Sequence, residues 1–229
     1  LCDRRQRQMC IRDSYEDDNI IVCNKPVGMP SQSDRTFEQD LVSYVLTHRT
    51  EQNEPAYAAI INRLDKPVGG LVLFAKNKKA AAGLSAVSGE HGIEKNYYAL
   101  VKGSPCDKGE FTDYLLKDGK NNISTVTDKD TKGSKKAVLL YEKLGEKTID
   151  GEKYSLMRVR LLTGRHHQIR VQFSHHGYPL YGDIKYNSDF RNRRDVSPAL
   201  FAYHLSFKNP VGADRITVEA EPESEIFRL

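Results

Sequence analysis

A short apolar approach, Ala58 to Ile61, runs into Asn62-Arg63-Leu64-Asp65, and a second apolar run, Leu71 to Ala75, leads away. Between them Pro67, Gly69 and Gly70 break regular structure and permit a tight backbone. Two buried strands joined by such a turn hold its polar residues on a rigid frame, which suits a site. An arginine and a carboxylate two positions apart in the turn are also what an ordinary surface ion pair looks like. On this stretch alone the surface ion pair is the favoured reading.

The 229 residues suffice for one large domain or two coupled subdomains around a sizeable core. With 38% hydrophobic and 29% charged residues, the composition fits a soluble globular chain, and no apolar run reaches membrane-span length. No charged-then-apolar secretory segment opens the sequence, so a cytoplasmic location is expected. The net charge of +4 is mildly basic and compatible with an RNA partner, though many proteins without one share it. Cys2, Cys10, Cys23 and Cys106 lie far apart with no C-x-x-C, which points to reduced thiols.

Residues 1–13 carry four arginines but show no strand or helix period. They are expected to be disordered or foreign to the fold rather than an RNA-binding arm, leaving 14–229 as a single catalytic domain. Asn19 to Asn24 reads as a strand turning at Lys25-Pro26-Val27-Gly28. Thr36-Phe37-Glu38-Gln39 has capping-box form before a helix running to about His48. Asn77 can cap a second helix with Ala80, Ala81, Leu84 and Val87 inside, ended by Gly89 and Gly92. Tyr97 to Val101 is a strand; the polar stretch 104–136 reads as a hairpin at Phe111 to Leu116 and a mobile lysine-rich loop. Ala137 to Leu144, Tyr154 to Leu162, Leu200 to Phe207 and Ile216 to Ala220 are further strands. Ile169, Phe173 and His176 share a helical face closed by Gly177 and Pro179. Strands outnumber helices and hairpins are common, so the class is α+β with a mainly antiparallel sheet.

Three further blocks complete the pattern: Asn24-Lys25-Pro26-Val27-Gly28, Gly164-Arg165-His166-His167-Gln168-Ile169-Arg170-Val171, and Gly177-Tyr178-Pro179-Leu180-Tyr181-Gly182-Asp183. In this order and spacing, over roughly residues 18–210, the chain resembles the RluA-type pseudouridine synthases. Those enzymes carry H-R-L-D-x-x-T-S-G, K-x-Y, G-R-x-H-Q-[IL]-R-V-H and G-H-P-[IL]-x-G-D. The resemblance implies a pseudouridine synthase fold: a mainly antiparallel mixed sheet with flanking helices and loops, and an active-site cleft across the sheet. It also implies isomerisation of uridine in ribosomal or transfer RNA. That reaction breaks the N-glycosidic bond and rejoins the base through carbon, with no cofactor and no metal. A monomer with an RNA partner, and neither membrane nor small-molecule cofactor, is expected.

By the same resemblance Asp65 is the nucleophile, attacking either the sugar C1′ or the base C6. Arg170 is its charge partner, and Tyr97 of Lys95-Asn96-Tyr97 stacks on uracil and serves the C5 proton transfer. Arg63 helps flip the nucleotide and fill its place in the stack, while Arg165 and His167 serve the RNA. His167 could instead be structural. His166, His167, His175 and His176 invite a metal reading, which is set aside because adjacent histidines on a helix diverge. The sequence departs from the motifs at Asn62, Val68-Gly69 and Gln172, where the pattern has His, Thr-Ser and His. With no S4-type domain before residue 18, substrate choice is expected from the basic surface of Lys132, Lys135 and Lys136. A non-catalytic RNA-binding protein on this fold, or a carboxylate-dependent glycosidase, remain the alternatives.

Overall fold

Alternating and fully apolar segments dominate the sequence, and in the computed structural model they pair as antiparallel ladders. The structure describes residues 12–33, 38–88 and 92–229. In chain order the elements are β1 (Arg12–Glu16), β2 (Ile20–Lys25), α1 (Leu41–Glu51), β3 (Ala59–Ile60), β4 (Gly69–Ala75), α2 (Lys78–Ser88), β5 (Ile93–Lys102), β6 (Lys108–Asp118), β7 (Ile123–Thr127), β8 (Lys135–Ile149), β9 (Glu152–Leu161), α3 (Gln168–His175), β10 (Leu200–Lys208) and β11 (Arg215–Glu219). They fall into two compact units.

The first unit comprises residues up to Ile93 together with Ala202–Glu221. β2 pairs with β1 on one side and β4 on the other, β3 adds to β4, and β10 pairs with β11. All seven positions of β4 are buried, as its apolar run requires of a central strand. Its core joins Ile20, Val22, Leu71 and Leu73 to Leu205, Phe207, Ile216 and Val218, with Ala80 and Leu84 of α2 packed on them. Each such large side chain contributes about 1.5–3 kcal/mol by leaving water. Asn77 caps α2 as expected, its Oδ1 accepting from Ala80 N at 2.9 Å. α1 is capped by Asp40, whose Oδ1 accepts from Ser43 N at 2.7 Å. Thr36 and Phe37 of the expected capping box lie outside the described residues. So do residues 1–11; Arg12 and Asp13, expected to be unstructured, already belong to β1.

The second unit spans Glu94–Phe201 and Pro222–Leu229. Its ladder runs β5-β9-β8-β6-β7, every neighbour antiparallel. Asp150 and Gly151 join β8 to β9, both with positive φ, as a two-residue hairpin turn needs. The hairpin read at Phe111 to Leu116 is present as β6 paired with β7, but it is longer than the sequence reading, and the lysine-rich stretch expected to be a mobile loop is closed by turns. β6 is eleven residues long, β7 follows it, and 128–134 is closed by turns such as Thr131 N to Asp128 O at 3.1 Å. Only Phe111 and Leu115 of β6 are buried, so its alternation is faint in sequence. α3 packs Val171 against Leu115 and Ala137, and Gly177, at φ 86°, closes the helix.

Candidate functional site

In the first unit the Asn62–Asp65 segment is fastened from several directions. Asn62 continues the pairing with β4 through its side chain: Nδ2 donates to Leu71 O at 3.2 Å and Oδ1 accepts from Leu73 N at 2.8 Å. This departure from the motif is therefore a backbone staple. Ser31 closes a reciprocal pair with Leu64, its hydroxyl donating to Leu64 O at 2.8 Å and accepting from Leu64 N at 3.0 Å. Val68 N donates to Asp65 O at 2.9 Å, closing the turn, and Val68 is buried. Gly70 has φ 118°, and a β-carbon there would overlap the Ala202 backbone. Arg63 is exposed and Asp65 half-buried on this turn.

Lys25 ties the turn down from the other side, a role the sequence did not suggest. It is 1% exposed, and its ammonium donates to the carbonyls of Met29 at 2.7 Å, Pro26 at 3.0 Å and Lys66 at 3.3 Å. The Lys66 carbonyl also accepts from Gly28 N at 2.9 Å. Burial pushes Lys25 down to about 7, against the pull of the Asp65 charge. Beyond the turn expected of the Asn-Lys-Pro-Val-Gly block, its physical content is this three-carbonyl anchor beside Asp65.

In the second unit Gln168 organises the Gly164–Arg170 block. Its Oε1 accepts from the Thr163 hydroxyl at 2.8 Å and from Arg165 N at 2.9 Å, and Nε2 donates to Val138 O at 3.1 Å. His167 precedes α3 in left-handed conformation, φ 54°. Arg165 is exposed and held by Nε on the Lys136 carbonyl at 2.8 Å. His167 is 7% exposed, and its Nδ1 lies 2.7 Å from the Tyr186 hydroxyl, whose oxygen accepts from Ser124 N at 2.8 Å. The His166 and His167 rings stack at 3.7 Å, which corrects the expectation that they lie on a helix and diverge. Among the described residues no three His, Cys, Asp or Glu side chains converge as a metal site would require.

Arg170 is buried and paired with Asp183, a partner that sequence reading missed. Nε donates to Oδ2 at 2.7 Å and Nη2 to Oδ1 at 2.8 Å, with exposures of 3% and 0%. The Asp183 Oδ1 also accepts from Lys185 N and Tyr186 N, and the guanidinium lies 5.2 Å from the Tyr186 ring centroid. The signal for Asp183 was present: it closes the Gly177–Asp183 block. Gln172, the other departure, is fully buried; Nε2 donates to Asp113 Oδ2 at 2.7 Å and to the Ala137 carbonyl at 3.2 Å, which excludes it from RNA contact in this conformation. Tyr97 is 6% exposed, while Tyr98 packs with Leu100, Tyr154 and Leu156. Of the expected residues, Arg63 and Asp65 belong to the first unit and Tyr97, Arg165, His167 and Arg170 to the second.

A cleft of about 420 Å³ in the first unit, lined by Arg49, Glu54, Tyr57 and Lys76 among others, contains none of these residues. Its buried cations are already matched: Lys76 pairs with Glu16 at 2.7 Å and Glu54 at 2.9 Å, and Arg49 with Glu54 at 2.9 Å. It is a structural ion-pair cluster.

The fold is strand-rich α+β, with a carboxylate on a stapled turn and a buried arginine in the first turn of α3, and comparison with known proteins identifies its class. The profile described as RNA pseudouridylate synthase matches residues 19–175, and the chain belongs to that family. A transfer RNA pseudouridine synthase C of Haemophilus ducreyi is 32% identical, over 90% of this chain and 88% of its own length. A ribosomal large subunit pseudouridine synthase D of Zymomonas mobilis is 31% identical, over 94% of this chain and 70% of its own. The fold is that of human RNA pseudouridylate synthase domain containing 1, with TM-score 0.77 at 21% identity over 94% of this chain and 84% of that one.

Proposed function

We propose that this chain isomerises specific uridines of structured ribosomal or transfer RNA to pseudouridine. In the net reaction the N1–C1′ bond breaks, a C5–C1′ bond forms, and the proton lost from C5 is balanced by one gained at N1. The reading rests on family membership and, within the molecule, on one observation: Asp65 stands half-buried on a turn that Ser31 and Lys25 hold rigid. A carboxylate can attack and leave again, and fixing its direction removes much of the entropic cost of attack. Asp65 is the proposed nucleophile, at C1′ or C6. Tyr97 is proposed to meet the uracil and its C5 proton. Arg170 is proposed as the cation that keeps the nucleophile ionised, a task suited to a guanidinium whose plane Asp183 already fixes. Arg63 and Arg165, both exposed, are suited to base flipping and phosphate contact. A glycosidase would need a second acid across the scissile bond, and the family favours the isomerase. The proposed form is a cytoplasmic monomer with RNA as its partner and no cofactor, since the reaction has no redox step.

The test is tritium release from C5-labelled RNA, with filter binding alongside. Asp65→Asn and Asp65→Ala should abolish turnover and leave RNA affinity nearly intact. Substantial turnover by Asp65→Ala would remove Asp65 from the role.

A further inference from the structure

Most lysines withdrawn from water in this protein have partners. Lys25 has three carbonyls, Lys76 two carboxylates, Lys143 Asp107 and Glu146, and Lys147 the carbonyls of Ile226 and Arg228. Lys95 of β5 differs. It is partly buried, and among the described residues its ammonium has no carboxylate, hydroxyl or carbonyl acceptor. Burial alone acts on it, pushing its pKa below the ordinary lysine range with no opposing charge. Its neighbour Glu94 is occupied by Arg160 at 3.6 Å and by Asn96 Nδ2 at 3.1 Å. Residues two apart on a strand share a face, so Glu94 and Asn96 lie on one side of β5 and Lys95 and Tyr97 on the other. The Lys95 Nζ lies against Gly164, 3.6 Å from where a β-carbon would stand there. Gly164 is exposed and has no side chain to cover the ammonium. A partly buried ammonium with no protein acceptor among the described residues gains from a ligand anion.

We infer that Lys95 receives a backbone phosphodiester of the target nucleotide when RNA binds. The inference rests on the isomerase reading, in which Tyr97 meets the uracil. Residues two apart on a strand are separated by about 6.7 Å, close to the reach from a base to its own phosphate. The ammonium and the ring on one strand face would therefore hold one nucleotide at both ends. The exposed Arg165, next in chain to Gly164, widens the basic rim at this point.

The experiment uses the full chain and a stem-loop of whichever RNA the wild type is found to modify. Binding is measured on the Asp65→Asn background so that the RNA is not converted. Lys95→Met should weaken binding about tenfold, the usual worth of a charge-assisted hydrogen bond. The slope of log affinity against log salt should flatten by about 0.7–0.9, one phosphate contact. A neutral methylphosphonate at one of the two linkages flanking the target uridine should weaken binding to the Lys95 protein, and have no further effect on Lys95→Met. Lys95→Arg should retain most affinity. Without RNA, Lys95→Met should be at least as stable as wild type, because it replaces an unmatched cation. A less stable apo Lys95→Met would assign Lys95 a structural role and overturn the inference, as would unchanged affinity and salt slope in a protein whose wild type turns over RNA. A wild type that turns over no RNA would overturn the isomerase reading and this inference with it.

Discussion

Replacing Asp183 by alanine removes the bidentate partner of a buried guanidinium. Both members of the pair are withdrawn from water, at 3% and 0% exposure, and the two hydrogen bonds are 2.7 and 2.8 Å long. Deleting one side of such a pair leaves a charge desolvated without compensation and costs about 3–5 kcal/mol. The variant also strips an acceptor from Lys185 N and Tyr186 N, which fold the segment after Asp183. For a chain of this length each kcal/mol lowers Tm by about 2–4 °C, so Asp183→Ala should melt about 6–20 °C below wild type. Asp183→Asn keeps the shape and one acceptor oxygen and should lose less. The double variant Arg170→Met/Asp183→Leu should recover much of the loss, because a packed apolar pair can replace a buried ion pair at little cost. The assay is urea and thermal unfolding of wild type and these three variants. Asp183→Ala within about 1 kcal/mol of wild type would refute the reasoning, since no buried charge could then have been left uncompensated. The same pair governs how Arg170 can be tested. Arg170→Ala orphans Asp183 as well as removing the proposed charge partner of the nucleophile, so its rate has to be read beside its stability.

Three further outcomes are expected. Burial raises Glu16, but hydrogen bonds from Lys76 and His48 hold it below the ordinary carboxylate range, and Lys76 and Arg49 do the same for Glu54. Folded values below unfolded ones give stability that is present above about 4.5 and lost as pH falls through the folded values. The advantage of wild type over Lys76→Met in urea unfolding should therefore shrink between pH 7 and pH 3.5, and a constant gap would show that Lys76 does not act through these carboxylates. Gly70→Ala should lose about 2–4 kcal/mol in the same assay, from positive φ and overlap with Ala202 together; a neutral variant would mean that the close approach is not kept in solution. Alanine at the exposed Lys132, Lys135 and Lys136 should weaken RNA binding and flatten its salt dependence, with little change in single-turnover rate at saturation. Salt-independent binding by wild type would contradict this.

Local chemistry made much of the fold legible. The apolar run of β4, the Asn77 cap of α2, and Gly177 after α3 were readable because each depends on neighbours within a few positions. The hairpin in 104–136 reads too short in sequence because β6 shows only two buried side chains in eleven, and a ribbon largely exposed to water selects few apolar residues. The Asp150-Gly151 pair is a local hairpin signal as well, since both residues take positive φ.

The candidate site divides along the same line. The ordered motif blocks identified the family from sequence, and with it Asp65, Tyr97 and Arg170 as the residues to test. What holds them was decided only by the tertiary structure. Arg170 meets Asp183 across thirteen positions, Lys25 reaches Lys66 across forty-one, and Ser31 reaches Leu64 across thirty-three. Asn62 and Gln172 look in sequence like lost functional histidines, yet their amides satisfy backbone and carboxylate partners supplied by other strands. Motif order survives as a linear pattern because reacting groups must be of particular types. The partners that desolvate, orient and neutralise them need only arrive in the right place, and that place exists only once distant segments have packed.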